Sequence, residues 1–281
     1  NSSPGWPWRR LTVHCRSDIL CAVKSGISTC SICVNLDHVA TLRQARLTSY
    51  PSLIETARIV DQSTAVGVTL HLREDRRHVQ DHDVFDVKQN ILKKLNLEMS
   101  TARDIVELCL KALPAQATLV PERRQELTTE GGLNVFDDPR NLRQLIATLQ
   151  SHKIVVSLFI DPTIEAVETS AAIGADIVEL HTGAYAQAFL EGRQIDSEIQ
   201  QLRKAALHAH EAGLLVYAGH GLTLDNVSTV AQIPYLSELN IGHGLVSHAV
   251  EVGLRQAIAD FSVAMNGPAP TALKAEPILS A

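Results

Sequence analysis

The sequence predicts an α/β protein folded as a single (β/α)8 TIM barrel, and three observations carry that prediction. Eight short apolar runs recur along the chain. Segments with helical, 3.6-residue periodicity separate them. Each run ends on at least one ionisable residue. The runs read as continuous rather than alternating apolar strands, which implies burial on both faces, as parallel sheets require. Eight strand–helix units in 281 residues match the barrel.

The runs are Ser31–Leu36, Ala65–Leu70, Leu95–Met99, Ala117–Val120, Ile154–Ile160, Ala175–Leu180, Leu214–Ala218 and Leu236–Ile241. Between them, Leu53-Ile54-Ala57-Ile59-Val60, Ala102-Ile105-Val106-Leu108-Cys109 and Ile199-Leu202-Ala205-Ala206-Ala209 have helical spacing. Barrels of this kind place their active sites at the C-terminal ends of the strands. The first run leads into Asn35-Leu36-Asp37-His38, the second into His71-Leu72-Arg73, the third into Glu98. The fourth ends at Pro121-Glu122, the fifth at Asp161, the sixth at Glu179-Leu180-His181. The last two end at Gly219-His220-Gly221 and Asn240-Ile241-Gly242-His243. Five of the twelve histidines fall at these ends, so they mark one site. The second end is the densest: a β-rich run delivers His71 and Arg73, and His78 follows on the loop.

Composition excludes several classes. The net charge of −6 offers no basic field for nucleic acid, and no apolar run approaches the ~20 residues of a membrane span. Four of the five cysteines lie in the first 33 residues. Cys30-x-x-Cys33 has no second Cys/His pair at zinc-finger spacing, and a reducing, cytoplasmic setting is expected. Residues 1–30 hold both tryptophans and sustain no periodicity. They are read as a disordered or artefactual extension, residues 31–266 as the catalytic barrel, and the Pro/Ala-rich residues 267–281 as a disordered tail.

The rim supplies histidines and carboxylates for proton transfer, with Arg46 and Arg73 for anions. Glu98, between Leu97 and Met99, is expected to have a raised pKa. For Asp37 and Glu179, orienting a histidine and a purely structural role both stand. The glycine-flanked His220 and His243 follow the last two strands, where barrels frequently hold phosphate on backbone N–H groups; tight turns needing positive φ would also explain those glycines. Thr128-Thr129-Glu130-Gly131-Gly132 reads as a lid with a glycine hinge, or as a surface loop. Metal-dependent hydrolysis is disfavoured: the only His-x-His, His208 and His210, lies in a helical segment, where i and i+2 diverge. No lysine sits at a strand end for Schiff-base chemistry.

Val34-Asn-Leu-Asp-His-Val-Ala-Thr-Leu-Arg-Gln-Ala-Arg46, Thr69-Leu-His-Leu-Arg-Glu-Asp-Arg-Arg-His78, Leu97-Glu-Met99 and Leu119-Val-Pro-Glu-Arg-Arg-Gln-Glu-Leu-Thr-Thr-Glu-Gly-Gly132 resemble the pyridoxine 5′-phosphate synthase family. So do Glu179-Leu-His-Thr-Gly183, Ala218-Gly-His-Gly-Leu222 and Glu238-Leu-Asn-Ile-Gly-His243. The resemblance runs from Ser31 to Ala259. It implies condensation of 3-amino-2-oxopropyl phosphate with 1-deoxy-D-xylulose 5-phosphate, giving pyridoxine 5′-phosphate and inorganic phosphate without a metal or organic cofactor. By motif, it makes His71 and Glu98 proton acceptors, His220 the proton donor and Glu179 the stabiliser of charged intermediates. Asn35, Arg46, Gly221, Gly242 and His243 would hold the amino-ketone phosphate. Asp37, His38, Arg73, His78 and Thr128 would hold the deoxyxylulose phosphate. It also implies a homo-octamer. Tyr217 departs from the family, which usually has a small polar residue there. A phosphosugar isomerase or epimerase, with one anion site, and a non-catalytic barrel are the competing readings.

Overall fold

The computed structural model describes residues 30–122 and 131–267, and within them each apolar run becomes a strand. β1 (Ser31–Asn35), β2 (Gly67–Leu72), β3 (Lys94–Met99), β4 (Gln116–Leu119), β5 (Val155–Ile160), β6 (Ile177–His181), β7 (Leu215–Gly219) and β8 (Leu236–Ile241) are all parallel. They pair in chain order, and β8 returns to β1 to close the barrel. The expectations for residues 1–29 and for the tail beyond Gly267 lie outside the described residues.

The helices form the outer layer. α1 (Asp37–Gln44) and α2 (Leu53–Asp61) follow β1, α3 (Asp81–Asn90) follows β2, and α4 (Arg103–Ala112) follows β3. α5 (Pro139–Ser151) and α6 (Ile164–Ala172) follow β4 and β5; α7 (Gly183–Glu191) and α8 (Ile195–Glu211) follow β6. α9 (Val227–Ala231) follows β7, then α10 (His243–Val252) and α11 (Leu254–Asn266) follow β8. Local chemistry sets the boundaries. The Asp138 side chain accepts from Asn141 N–H with Pro139 in the first turn, a start signal that pairs a capped donor with a residue lacking one. α4 buries Ile105, Leu108, Cys109 and Ala112, the i, i+3, i+4, i+7 stripe its sequence shows.

The strands correct one expectation. They are buried on both faces, but they are not uniformly apolar: β2 reads Gly-Val-Thr-Leu-His-Leu and β3 reads Lys-Leu-Asn-Leu-Glu-Met. Successive side chains point to opposite faces. Val68, Leu70, Leu72, Leu95, Leu97 and Met99 are fully buried in the apolar core, each contributing roughly 1.5–3 kcal/mol by leaving water. The alternate residues fill the barrel with polar groups. Asn240 Nδ2 donates to Glu179 Oε2 at 2.7 Å, and Thr69 Oγ1 donates to Asn240 Oδ1 at 2.9 Å. Asn96 Nδ2 reaches Thr69 Oγ1 at 3.3 Å, and Thr118 Oγ1 donates to Asn96 Oδ1 at 2.9 Å. Gln116 Nε2 donates to Thr118 Oγ1 at 3.2 Å, and Lys94 Nζ donates to Gln116 Oε1 at 3.0 Å and Glu238 Oε1 at 2.7 Å. The chain of bonds thus links the active end of β6 to the opposite end of β3. Tyr217 belongs to this interior, buried, with Lys94 Nζ 4.8 Å from its ring centroid.

Cys30, Cys33 and Cys109 are buried free thiols. Burial pushes the first two far above the usual thiol range and Cys109 up to about 12, a setting that keeps them protonated and unreactive. His208 and His210 do lie in one helix and diverge: His208 meets Glu168 at 3.1 Å, and His210 stacks on Tyr235. Among the described residues no helix is long and apolar enough to cross a membrane.

Candidate active site

The ends of β1 and β2 are locked together by Asp37. Its backbone N–H donates to Asn35 Oδ1 at 2.8 Å, and Asn35 Nδ2 returns a bond to Asp37 Oδ2 at 2.8 Å. The other carboxylate oxygen accepts the backbone N–H of His71 at 2.7 Å. Asp37 therefore fixes the backbone that carries His71, while its charge also faces Glu98. In register, His71 and Glu98 are neighbours across β2 and β3, with Nδ1 of His71 3.9 Å from Glu98 Oε2.

Glu98 meets the expectation set by its apolar flanks. Burial, then the nearby charges of Glu179 and Asp37, hold its carboxyl well above the usual range, against a hydrogen bond to Asn35. Its side chain keeps 16 % exposure at the strand end. Burial and the Glu238 charge push Glu179 up to about 8, against the Asn240 bond and Lys94. Gly219 makes room for Glu179: a Cβ there would stand 2.8 Å from Glu179 Oε1.

Six histidines line the rim in three edge-on or tilted pairs. His38 and His243 have centroids 5.0 Å apart, His71 and His78 6.1 Å, and His181 and His220 5.1 Å. His220 has φ +89, a left-handed conformation that a non-glycine residue holds only when its surroundings impose it. Burial, then the neighbouring His181 and His243, lower its pKa to about 4. Burial likewise lowers His38, His78 and His181. Gly221 has φ +71, so here the tight-turn reading of the glycines holds. At Gly244 the reason is close approach, since a Cβ would lie 2.2 Å from the Leu222 carbonyl oxygen. Gly242 caps α10, and His243 opens it.

One expected residue stands apart and one falls outside the described residues. Arg46 is exposed in the turn after α1 and makes no side-chain bond to another candidate among the described residues; the buried arginine of that region is Arg43, paired with Asp83 at 2.6 Å. Arg73 is buried and lines a cavity of about 240 Å³ with Glu74, Asp75 and Glu122. Thr128 lies outside the described residues. Asp37, His71 and Glu98 each offer one ligand atom, all within 4.8 Å of one another, although both Asp37 oxygens already accept hydrogen bonds.

The chain matches the family model described as "Pyridoxal phosphate biosynthesis protein PdxJ" over residues 32–267. The chain belongs to the PdxJ family. Among relatives of this PdxJ-family chain, the pyridoxine 5′-phosphate synthase of Sulfurihydrogenibium sp. is 48% identical over 228 residues, covering 80% of this chain and 93% of that protein. The synthase of Synechococcus sp. is 49% identical over 235 residues, 84% and 98% of the two chains. A tryptophan synthase structure from M. tuberculosis superposes with a TM-score of 0.59 at 10% identity, covering 88% of this chain and 96% of that one, a likeness of fold alone. The PdxJ-family chain is thus an enzyme of vitamin B6 synthesis.

Four residues of this strand-end cluster were given no role of their own by the sequence. Glu122 holds His71 Nε2 at 3.1 Å, and Asn240 holds Glu179. His181 lies between Phe159 and His220, its Nδ1 3.4 Å from Asp161 and its Nε2 without a partner among the described residues. Thr182 is fully buried against the turn that carries His220. Each sits in a stretch already quoted for its strand end, so the signal was adjacency to a stronger residue.

Proposed function

We propose that the chain condenses 3-amino-2-oxopropyl phosphate with 1-deoxy-D-xylulose 5-phosphate, closing the ring to pyridoxine 5′-phosphate and releasing inorganic phosphate. The observation that carries this reading is the grouping of His71, Glu98 and Glu179: an imidazole 3.9 Å from a carboxyl whose proton affinity burial raises, with a second carboxyl pushed up to about 8 close by. Joining an amine to a ketone, expelling water and closing a ring needs several proton transfers. Groups whose proton affinities are pushed apart can divide that work.

In this reading His71 and Glu98 accept protons. Burial and the charges of Glu179 and Asp37 raise the proton affinity of Glu98, which suits it to take a proton from the substrate. His220 is neutral in the free enzyme; an anionic phosphate bound beside it raises its proton affinity and makes it a donor. Glu179 stabilises cationic imine intermediates when it ionises. Asn35, Arg46, Gly221, Gly242 and His243 hold one phosphate substrate, and Asp37, His38, Arg73, His78 and Thr128 the other. The polar, crowded rim supports these assignments, though for Arg46 and Thr128 they rest on the resemblance alone. So do the homo-octamer and the absence of a metal or organic cofactor, whereas the cytoplasmic setting rests on the cysteine usage.

Mixing the two substrates with the purified chain tests the proposal, with phosphate release and the product's chromophore read together. Both signals are expected to rise in parallel, and Glu98→Gln is expected to lower them by about 10²–10⁴-fold. Phosphate release without chromophore, or near-normal turnover of Glu98→Gln, overturns it.

A further inference from the structure

The two ring nitrogens of His71 face two different carboxyl groups. Nε2 lies 3.1 Å from Glu122 Oε1, a hydrogen bond, whereas Nδ1 lies 3.9 Å from Glu98 Oε2, beyond one. Glu122 stands at the end of β4, a strand that does not pair with β2, so only closure of the barrel brings it to His71. Its carboxylate is held at both oxygens, because Oε2 accepts the backbone N–H of Glu74 at 3.0 Å. The side chains of His71 and Glu122 are 6 % and 5 % exposed, so the bond is largely shielded from bulk water. The backbone N–H of His71 is separately fixed by Asp37.

An ionised carboxylate only accepts hydrogen bonds. Burial works against ionisation of Glu122, but the bond from His71, its charge, and the Glu74 N–H and Arg73 bring the carboxyl below its usual range. Glu98 is driven the opposite way. One side of the imidazole therefore faces a carboxyl pushed toward its anion and the other a carboxyl pushed toward its acid form. In a neutral imidazole one nitrogen carries hydrogen and the other a lone pair, and the partner of the first decides which.

We propose that Glu122 is a positioning residue that keeps His71 in the Nε2–H tautomer, so that Nδ1, on the Glu98 side, is the atom that takes the substrate proton. This rests on the reading of His71 as a proton acceptor. On protonation the Nδ1–H bond forms, the ring becomes imidazolium, and the adjacent Glu122 carboxylate stabilises it without itself accepting the proton. Among the described residues, the charged and titratable groups around the ring are Asp37, Arg73, His78, Glu98 and Glu122. Of these, Glu122 alone is hydrogen-bonded to the ring.

Nitrogen-15 NMR of the full chain, without substrate and near neutral pH, reads the tautomer directly, with His71→Gln used for assignment. His71 is expected to show a protonated Nε2 and a bare Nδ1; the opposite pattern overturns the proposal whatever the enzyme's activity. Glu122→Gln is expected to give mixed tautomers, a kcat fall of about 10²–10⁴-fold, a smaller change in KM, and an acidic limb of the kcat/KM profile displaced to lower pH. Glu122→Asp, which keeps the charge, is expected to recover part of kcat. A Glu122→Gln enzyme with wild-type kcat and pH profile also overturns it. If His71→Gln keeps full turnover while the wild-type tautomer is Nε2–H, the acceptor reading fails and the tautomer assignment survives.

Discussion

The hydroxyl of Thr182 meets the carbonyl oxygens of both Gly219 and His220, at 2.7 and 2.6 Å. Its backbone N–H also donates to Gly219 O at 2.9 Å. The end of β6 thereby grips the turn that holds His220 at positive φ.

Replacing Thr182 with Val keeps the shape and removes the grip. A strained residue of this kind stores about 1–3 kcal/mol, and losing the arrangement that exploits it should lower kcat by about tenfold or more. Thr182→Ser should keep most of the activity. Equal kcat values for the Val and Ser variants would show that the hydroxyl only fills space.

The Lys94–Glu238 pair lies inside the barrel at 2.7 Å. Removing one partner strands a charge, and Lys94→Met alone should cost about 3–5 kcal/mol. The double change Lys94→Met with Glu238→Leu should restore much of that loss. Denaturant unfolding of the wild type, both single variants and the double variant measures the coupling; additive losses would mean the pair is not a unit.

Gly132 donates its N–H to Asp161 Oδ1 at 2.9 Å, and a Cβ there would stand 2.1 Å from the Asp161 backbone nitrogen. Gly131 has open space around its Cα. The glycine pair therefore splits: Gly131→Ala should be nearly silent, whereas Gly132→Ala should displace the segment and slow turnover several-fold. Matching rates for the two variants would remove the packing argument and return the pair to a hinge.

Two buried groups give opposite pH slopes. Glu179 is raised to about 8 when folded, so its stabilising effect is complete below its unfolded value of ~4.3 and is lost as pH rises through 8. His220 is lowered to about 4; its contribution is present above the unfolded value of ~6.5 and is lost as pH falls toward 4. Thermal midpoints from pH 4 to 9 should fall less steeply on the alkaline side in Glu179→Gln. On the acid side they should fall less steeply in His220→Asn, which tolerates positive φ. Curves parallel to the wild type would contradict both assignments.

The eight strands were legible because their outward residues are apolar and their ends carry charge. Their inner faces were not, since the partners of their polar residues lie on other strands: Thr69 meets Asn240 on β8, and Asn96 meets Thr69 and Thr118 on the strands either side. Lys94 fell just outside its run, and its partner Glu238 lies 144 positions on. The same limit hid the pairing of Glu122 with His71, 51 residues earlier. Arg46 shows the converse: an arginine in the right motif, exposed where the turn after α1 puts it.

The hydrogen-bonded ladder within the barrel also bears on how such a chain can change over generations. An apolar interior drifts one residue at a time, because hydrophobic side chains of similar volume substitute for one another at small cost. Here Asn96 satisfies both Thr69 and Thr118, and Asn240 satisfies both Thr69 and Glu179. A lone replacement orphans at least one buried polar atom, at about 1–3 kcal/mol. Inherited variation inside the barrel should therefore arrive in matched pairs or triplets, while positions beneath the helices vary independently.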